Sequence, residues 1–412
     1  MNRTRIITAA ALALATGGLV FASPINPPAG PVTSTYKTLT EVEPRIAINA
    51  TNTPGDADSR FKITQPGSYY LTGNITGVAG RHGIEIAASG VTLDLMGFDL
   101  SGLPASLDGV SATVSNLTNI TIRNGSVRAW GDEGVDLGTN SADSSAVIDV
   151  RASGNAGNGI TIGTGGTITG CSAYNNTGDG ILTGFGCTIT GCSATNNSAN
   201  GIVTSSSCTI TACSASSNTG SGISTGFGCM ITECTASYNG TGITTDDGCT
   251  ITGCTAIENT GSGIATGFGC MITGCTASFN GTGIATASGC TISNCTARAN
   301  TLDGIRVTSG CVVLANTCLF NGNGGDGAGI HATGGDNRIE GNNCTRSDRG
   351  IDVDVAGNII IKNTCSGNTS NWEVAIGNVC LVILATPTVA PISGDSGGLS
   401  PGSTNPNANF TY

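Results

Sequence analysis

A phrase of 20 or 21 residues repeats through the middle of this chain and constrains its fold more than any other feature. The phrase consists of Gly-Ile, a few small residues, Gly-Cys, a Thr-Ile-Thr segment, a second Cys and an Asn, with single substitutions in some copies. Self-similarity at a short fixed period is typical of a solenoid, in which each repeat packs only on its neighbours. The isoleucine that anchors the phrase recurs at Ile160, Ile181, Ile202, Ile223, Ile243, Ile264, Ile284 and Ile305.

The composition of the repeat selects the kind of solenoid. Short units rich in Gly and Thr favour strands over helices, and the leucine framework of leucine-rich repeats is absent. The repeat therefore predicts an all-β chain, a parallel β-helix whose coils stack about 4.8 Å apart. Alternation places Cys187 and Ile189 inward and Thr188 and Thr190 outward. Asparagines five residues after each second cysteine, such as Asn197 and Asn218, predict a stacked ladder.

Longer and less regular coils flank the repeat. Before it, apolar anchors fall at Ile84, Val110 and Val135, and after it we expect anchors at Ile330, Ile351 and Ile376. The sequence predicts one β-helix over residues 61–385, with about thirteen coils.

The two ends of the chain differ from the repeat in composition. Residues 1–22 have Arg3 and Arg5 before an apolar run and are typical of a secretory signal peptide cleaved before Ser23, with a short membrane anchor as the alternative. We expect export through the Sec pathway to the periplasm, the cell surface or the medium. Residues 23–60 are expected to form a Pro-rich linker and an N-terminal cap, and the Gly/Ser/Pro-rich residues 386–412 a flexible tail. No other segment could serve as a transmembrane span.

Charge limits the classes of partner. The formal net charge is −11, which disfavours nucleic acid and anionic membranes. No Lys, Arg or His occurs between Asn155 and Ala297, so a lyase site that needs a basic side chain cannot lie on those coils.

The coils outside the repeat carry a family resemblance. Three segments carry it: Phe61-Lys-Ile-Thr-Gln-Pro-Gly-Ser-Tyr-Tyr-Leu-Thr-Gly-Asn-Ile75, Val91-Thr-Leu-Asp-Leu and Asn337-Arg-Ile-Glu-Gly-Asn-Asn. They resemble bacterial exported right-handed parallel β-helix repeat proteins of the pectate-lyase-like superfold. The resemblance spans about residues 61–380 and implies right-handed winding. Since this fold hosts lyases, hydrolases, epimerases and adhesins, it implies no single activity.

Charged residues return on the C-terminal coils and supply the candidate catalytic group. Arg306, His331 and Asp352 each follow an anchor isoleucine, so they should stack on one outer face, with Asp354 and Arg349 nearby. Chemistry on an acidic sugar would need such a cation and a base of near-neutral pKa. The alternative is an exposed salt-bridge ladder with little desolvation.

All 18 cysteines follow the predicted signal peptide, and export normally favours disulfides. Parallel neighbouring strands keep stacked Cβ atoms farther apart than a disulfide prefers, so we expect mostly free, buried thiol stacks, with some inter-coil bridges as the alternative. Zinc-type spacing with histidine is absent.

Two further groups are weaker candidates. Outward threonines form a two-column array that resembles ice-binding surfaces, at Thr188, Thr190, Thr209, Thr211, Thr250 and Thr252. Asp246 and Asp247 could contact Ca²⁺, although the next copy of the repeat has Ala287 and Ser288 instead. The protease-like motif Gly394-Asp-Ser-Gly-Gly398 is interpreted as coincidence, because nothing there would place a His and an Asp.

The sequence as a whole favours an exported, non-catalytic β-helix repeat protein with a structural, surface or glycan-interaction role. The alternative is a polysaccharide lyase, hydrolase or epimerase that acts from the charged C-terminal coils. We expect no cofactor other than Ca²⁺, and a polysaccharide or cell-surface component as partner. Carbohydrate platforms usually need exposed aromatic residues, and the two tryptophans, Trp130 and Trp372, give only weak support for glycan binding.

Overall fold

The computed structural model describes residues 43–138, 142–384 and 406–411. These residues form strands, turns and bends without an α-helix. Within them, no helix has the length and apolar character needed to cross a bilayer. The described residues from Arg45 onward form one compact unit. The predicted signal peptide and the motif at Gly394–Gly398 lie outside the described residues.

One strand of each coil belongs to a parallel sheet of fifteen strands, here called sheet 1. Its strands are Ser59–Ile63, His82–Ile86, Val110–Ala112, Val135–Leu137, Ile160–Ile162, Ile181–Thr183, Ile202–Thr204, Ser221–Thr225, Thr241–Thr245, Ile264–Thr266, Ile284–Thr286, Ile305–Val307, Ala328–Ala332, Arg349–Val353 and Ser370–Val374.

The other strands form sheet 2, which has thirty strands in two adjoining rows. The first row contains Ile46–Ala47, Gly67–Tyr70, Val91–Asp94, Thr121–Arg128, Ala146–Ser153, Thr167–Thr169, Thr188–Thr190, Thr209–Thr211, Met230–Thr232, Thr250–Thr252, Met271–Thr273, Thr291–Ser293, Val312–Leu314, Arg338–Glu340, Ile359–Ile361 and Val379–Cys380. The second contains Ile75–Thr76, Asp99–Ser101, Ser172–Tyr174, Ser193–Thr195, Ser214–Ser216, Thr235–Ser237, Thr255–Ile257, Thr276–Ser278, Thr296–Arg298, Thr317–Leu319, Asn343–Thr345, Thr364–Ser366, Val382–Leu384 and Asn409–Thr411. The long strands Thr121–Arg128 and Ala146–Ser153 join both rows.

The register confirms the predicted β-solenoid but corrects its last anchor. Ile160 pairs with Ile181 and Ile181 with Ile202, so identical residues stack as the period predicts. Ile351, however, pairs with Trp372, and Ile376 is 97% exposed. The prediction of Ile376 as an anchor was wrong because the last coil fills the anchor position with an aromatic residue. The fifteen strands of sheet 1 also exceed the thirteen coils expected.

A buried asparagine in each repeat ties its coil to the preceding one. The Oδ1 atom of Asn218 accepts the backbone N–H of Asn197 at 3.0 Å, and its Nδ2 atom donates to the carbonyl of Ala194 at 3.1 Å. The same Oδ1 atom also accepts from the side-chain amide of Asn197. The predicted ladder is therefore present, and it satisfies turn groups that would otherwise be buried without partners.

Two columns of cysteines occupy equivalent turns and make the same kind of contact. The sulfur of Cys213 accepts the N–H of Cys192 at 3.4 Å and lies 3.7 Å from the carbonyl oxygen of Ile189, to which its thiol donates. All 18 cysteines are free, and all except the half-buried Cys380 are buried.

Both cysteine columns continue as asparagine columns in the C-terminal coils. Asn316 accepts the N–H of Cys295, and Asn337 accepts the N–H of Cys311, at 2.9 and 2.8 Å. The buried cysteines are thus hydrogen-bonding turn residues as well as small apolar ones, a role that period-two alternation alone did not indicate.

The glycine before each anchor isoleucine is required by close packing between coils. A Cβ atom on Gly180 would lie 2.6 Å from the carbonyl oxygen of Gly201 and 2.7 Å from the side-chain amide of Asn197. Gly186, by contrast, has a φ of +63° at the corner that precedes Cys187. The corner glycines therefore allow the left-handed backbone conformation, whereas the glycines before the anchors allow close packing between coils.

Both ends of the stack are closed by strands beyond the repeat. Ile46–Ala47 pairs with Gly67–Tyr70, within the segment expected to form the N-terminal cap. At the other end, Asn409–Thr411 pairs with both Thr364–Ser366 and Val382–Leu384. Asn409 accepts the N–H of Asn363 at 2.9 Å and so ends one asparagine column. This part of the segment expected to be a tail is integrated into sheet 2.

Because cysteine and asparagine share one turn role, we expect Cys295→Asn to be tolerated better than Cys295→Ala. Asparagine would keep an acceptor for the N–H of Cys275 and a donor for the carbonyl of Ile272, both of which the thiol now serves. Alanine would leave these groups unpaired at a cost of about 1–3 kcal/mol. Urea unfolding of both variants beside the parent protein measures the difference, and an asparagine variant less stable than the alanine variant would contradict the assigned role.

Candidate functional site

The charged residues predicted to stack do lie in one outward column of sheet 1. Arg306 pairs with His331, His331 with Asp352, and Asp352 with Glu373. Arg306 is exposed, and within the described part of the chain it forms no ion pair. The structure therefore confirms the register of the column but separates Arg306 from the interactions of the other residues.

Both nitrogen atoms of the His331 ring contact carboxylates. Nδ1 lies 3.0 Å from Oδ2 of Asp303, and Nε2 lies 3.2 Å from Oδ2 of Asp354 and 3.7 Å from Oδ2 of Asp352. The side chain of His331 is 18% exposed. We call Asp303, His331, Arg349, Asp352 and Asp354 the charged cluster.

Asp303 was missed in the sequence analysis although a signal for it exists. It stands two residues before Ile305, in the turn column that holds Asn158, Asp179 and Asn200 in earlier coils. These residues accept the backbone N–H of the next coil, as Asp303 does from Ala328 at 2.9 Å. The side chain of Asp303 therefore reaches His331 from the turn beside sheet 1.

Electrostatics hold the histidine in its charged form. The hydrogen bond that the His331 ring donates to Asp303 outweighs burial and, with the charges of Asp303, Asp352 and Asp354, raises the pKa of His331 to about 9. The ring is an imidazolium at neutral pH, with a carboxylate at each nitrogen. As arranged, neither ring nitrogen is left to accept a proton from a substrate.

Arg349 closes the other side of the charged cluster. Its guanidinium lies 2.5 Å from Asp352 and 2.8 Å from Glu373, and it also pairs with Asp326. The side chain of Asp352 is only 4% exposed, and burial raises its pKa despite Arg349 and His331. Burial of Asp352 distinguishes this part of the column from the exposed salt-bridge ladder that the sequence left as the alternative, while Arg306 and Asp354 are exposed.

A second acidic group, which sequence reasoning missed, lies near the N-terminal end of sheet 1. Oxygen atoms of Asp108, Glu133 and Asp136 lie within 4.8 Å of one another, as do donor atoms of His331, Asp352 and Asp354. Burial, reinforced by Asp132, raises the pKa of Glu133 to about 8. Both groups have donor atoms of a kind that bind cations. The signal was the position of Asp136 one residue after the anchor Val135.

The candidate calcium residues have a turn role in the structure. The Oδ1 atom of Asp247 accepts the N–H of Phe268 at 2.7 Å, and the carbonyl of Asp246 accepts from the Cys270 thiol. Among the residues that the structure describes, no third His, Cys, Asp or Glu joins them in a metal-like group.

The threonine array is in register but interrupted. Thr188 pairs with Thr209 and Thr190 with Thr211 on sheet 2. Met230 then stands between Thr209 and Thr250, and Met271 follows Thr250. Both methionines are 51% exposed, so Thr188, Thr209 and Thr250 do not form a continuous column.

The tryptophans do not form an exposed glycan platform. Trp130 is 1% exposed and donates its indole N–H to the carbonyl of Leu100 at 3.1 Å. Trp372 is half-buried against the core. The large exposed aromatic residues are instead phenylalanines and tyrosines at turns, among them Phe185, Phe227 and Phe268.

Comparisons with known proteins place the coils in a family but carry no functional argument. The family model described as right handed beta helix region matches residues 74–210, 187–291 and 265–383. No curated protein sequence matches the chain. Among solved structures, the chain is similar to the A-module of a mannuronan C-5 epimerase from Azotobacter vinelandii, with 15% identity, 76% of this chain and 90% of that chain covered, and a TM-score of 0.39.

Two other solved structures have comparably low similarity. One is the catalytic unit of a thermostable α-1,3-glucanase from Streptomyces thermodiastaticus, with 13% identity, coverage of 81% and 68%, and a TM-score of 0.39. The other is the Dettilon tailspike protein, with 18% identity, coverage of 74% and 58%, and a TM-score of 0.34. At these values the structures say nothing about substrate or mechanism.

The raised pKa of His331 predicts how stability depends on pH. The contribution of the imidazolium is fully present below the unfolded-state pKa of about 6.5 and is lost as pH rises through about 9. His331→Asn should therefore flatten the decline of the thermal midpoint between these values. Melting curves of parent and variant across this range test the effect, and parallel declines would show that the charged cluster does not hold the proton.

Proposed function

The chain belongs to the right-handed β-helix family, and from this we propose that it is an exported, non-catalytic interaction protein whose ligand is a neutral glycan. The saturation of the charged cluster carries the non-catalytic part of the proposal. His331 bonds to carboxylates through both ring nitrogens, and Arg349 is shared among three acidic side chains. A site for proton abstraction needs a base that can reach its substrate.

The charge distribution supports a neutral ligand. Sheet 1 carries Thr161, Leu182, Val203 and Ser224 in its outward column through the repeat, in register with the charged column at either end. No basic residue lies between Asn155 and Ala297, so these coils offer an anionic polymer no counter-charge. An uncharged polymer with many hydroxyl groups needs no such counter-charge.

The enzymatic alternative would require the charged cluster to open. A polysaccharide lyase, hydrolase or epimerase acting there would have to free His331 from Asp303 or Asp354. The ice-binding alternative would require a regular threonine surface, and Met230 and Met271 interrupt the array. For these reasons neither alternative is proposed.

Export is proposed from the composition of residues 1–22. The purified native protein should begin near Ser23, because the apolar run is short enough for removal by signal peptidase. Amino-terminal sequencing gives a direct answer, and a native protein that begins at Met1 would refute cleavage.

A polysaccharide panel tests the non-catalytic role. We expect no new unsaturated or reducing ends when the protein is incubated with alginate, polygalacturonate, xylan, β-glucan or galactomannan, compared with heat-denatured protein. The matched variant is His331→Ala combined with Asp352→Ala, with the fold checked by circular dichroism. Turnover that disappears in this variant would identify an active site in the charged cluster, and turnover that survives would place catalysis elsewhere; either result would overturn the proposal.

A further inference from the structure

One turn of the repeat displays an aromatic ring on every second coil. Phe185, Phe227 and Phe268 follow sheet 1 at equivalent positions and are 59%, 56% and 59% exposed. Backbone hydrogen bonds fix this alignment, since Ser207 N–H donates to the Phe227 carbonyl and Gly248 N–H to the Phe268 carbonyl, both at 2.8 Å. We call the three rings the Phe ridge.

The spacing of the ridge follows from a duplication of two coils. Residues 220–260 and 261–301 align without gaps, and each copy carries Gly-Phe-Gly-Cys-Met-Ile-Thr. Two coils correspond to about 10 Å along the stack. Met230 and Met271, three residues after their phenylalanines, are also half exposed and widen the apolar surface on the same coils.

Polar side chains occupy the positions between the rings. Ser206 accepts the N–H of Phe227 through its hydroxyl oxygen at 3.1 Å, and Asp247 accepts the N–H of Phe268 at 2.7 Å. Exposed Asp246 stands beside Asp247. The surface therefore alternates flat apolar rings with hydroxyl and carboxylate oxygens, one kind of group per coil.

A second aromatic column shows that ring exposure alone does not define this surface. Tyr238, Phe279 and Phe320 also recur every second coil, at a different corner, and are 59%, 47% and 42% exposed. The guanidinium of Arg298 lies 5.4 Å from the centre of the Phe279 ring, and that of Arg346 lies 5.3 Å from the Phe320 ring. These two rings already have a cationic partner over one face.

No cation covers the Phe ridge in this way. The coils that carry it contain no Lys, Arg or His, and the described residues place no cation over Phe185, Phe227 or Phe268. A groove of about 420 Å³ adjoins the first ring, with Phe185 and Leu182 as apolar lining, Thr161 and Ser205 as neutral polar lining, and Glu133 as its one ionisable residue. The ridge thus leads into a concave site that contains no basic residue.

We propose that the Phe ridge and its adjoining groove bind an extended neutral polysaccharide that runs along the stack of coils. The C–H faces of pyranose rings pack on aromatic rings, and their hydroxyls bond to oxygens such as those of Ser206, Asp246 and Asp247. A sugar unit of an extended chain is about as long as one coil is thick, so every second sugar meets a phenylalanine. Acidic polymers are repelled by the same carboxylates.

This inference rests on the proposed neutral-glycan role and assigns it a surface. The test uses Phe227→Ala combined with Phe268→Ala, and Tyr238→Ala combined with Phe279→Ala as the matched control at the other corner. Affinity electrophoresis in gels containing xylan, β-glucan, galactomannan or alginate measures retention. We expect the ridge variant to bind the retained neutral polymer about tenfold more weakly, and the control to stay within about twofold of the parent.

Three results would overturn the assignment. They are equal losses in both variants, no loss in the ridge variant, or no retention of the parent protein by any neutral polymer. Phe227→Tyr combined with Phe268→Tyr should keep retention at the parent level, because a phenol ring stacks as a phenyl ring does. Circular dichroism of every variant controls for folding. If sedimentation shows that the ridge variant changes only self-association, the ridge is a contact between copies instead. If the parent protein is retained and only the ridge fails, the neutral-glycan role stands, whereas no retention of the parent overturns both. Turnover is assayed separately and bears on the non-catalytic part alone.

Discussion

Each coil of this protein depends on a side chain that reaches back to satisfy the turn of the coil before it. Asn218 does this for Asn197 and Ala194, and Cys213 does it for Cys192 and Ile189. Main-chain pairing along two sheets cannot satisfy the corner groups, which are buried without access to water. The repeated asparagines and cysteines are therefore the groups that allow a core of small residues to be stacked without leaving corner donors unpaired.

The hydrogen-bonding role of cysteine at the coil corners explains why the chain contains so many cysteines. A thiol is a weaker hydrogen-bonding group than an amide, but it is smaller and less costly to bury. The change from cysteine to asparagine at Asn316 and Asn337 shows that the turn accepts either side chain. The cysteines need no disulfide or metal to explain their recurrence.

Sequence reasoning succeeded where a property repeats and failed where it depends on one turn. The period predicted the stacking of Ile181 on Ile202 and of His331 on Asp352. It could not show that Asp303 reaches His331 from a neighbouring turn, or that Asp352 is almost completely buried. It also placed an anchor at Ile376, because the anchors of the other coils are aliphatic and the last coil has Trp372 at the anchor position instead. Burial of the charged cluster arises from long side chains and loops that the repeat does not specify.

The two-coil duplication relates the number of repeat copies in the gene to the strength of binding. A crossover between copies adds or removes residues in units that preserve the register of every ladder, since each coil presents the same acceptor to its neighbour. Each such event would also change the Phe ridge by one ring, as Phe227 and Phe268 illustrate. The length of the gene and the number of phenylalanine contacts on the surface would then vary together. Unequal recombination could thus raise or lower the avidity of the protein by one contact at a time, without any point mutation.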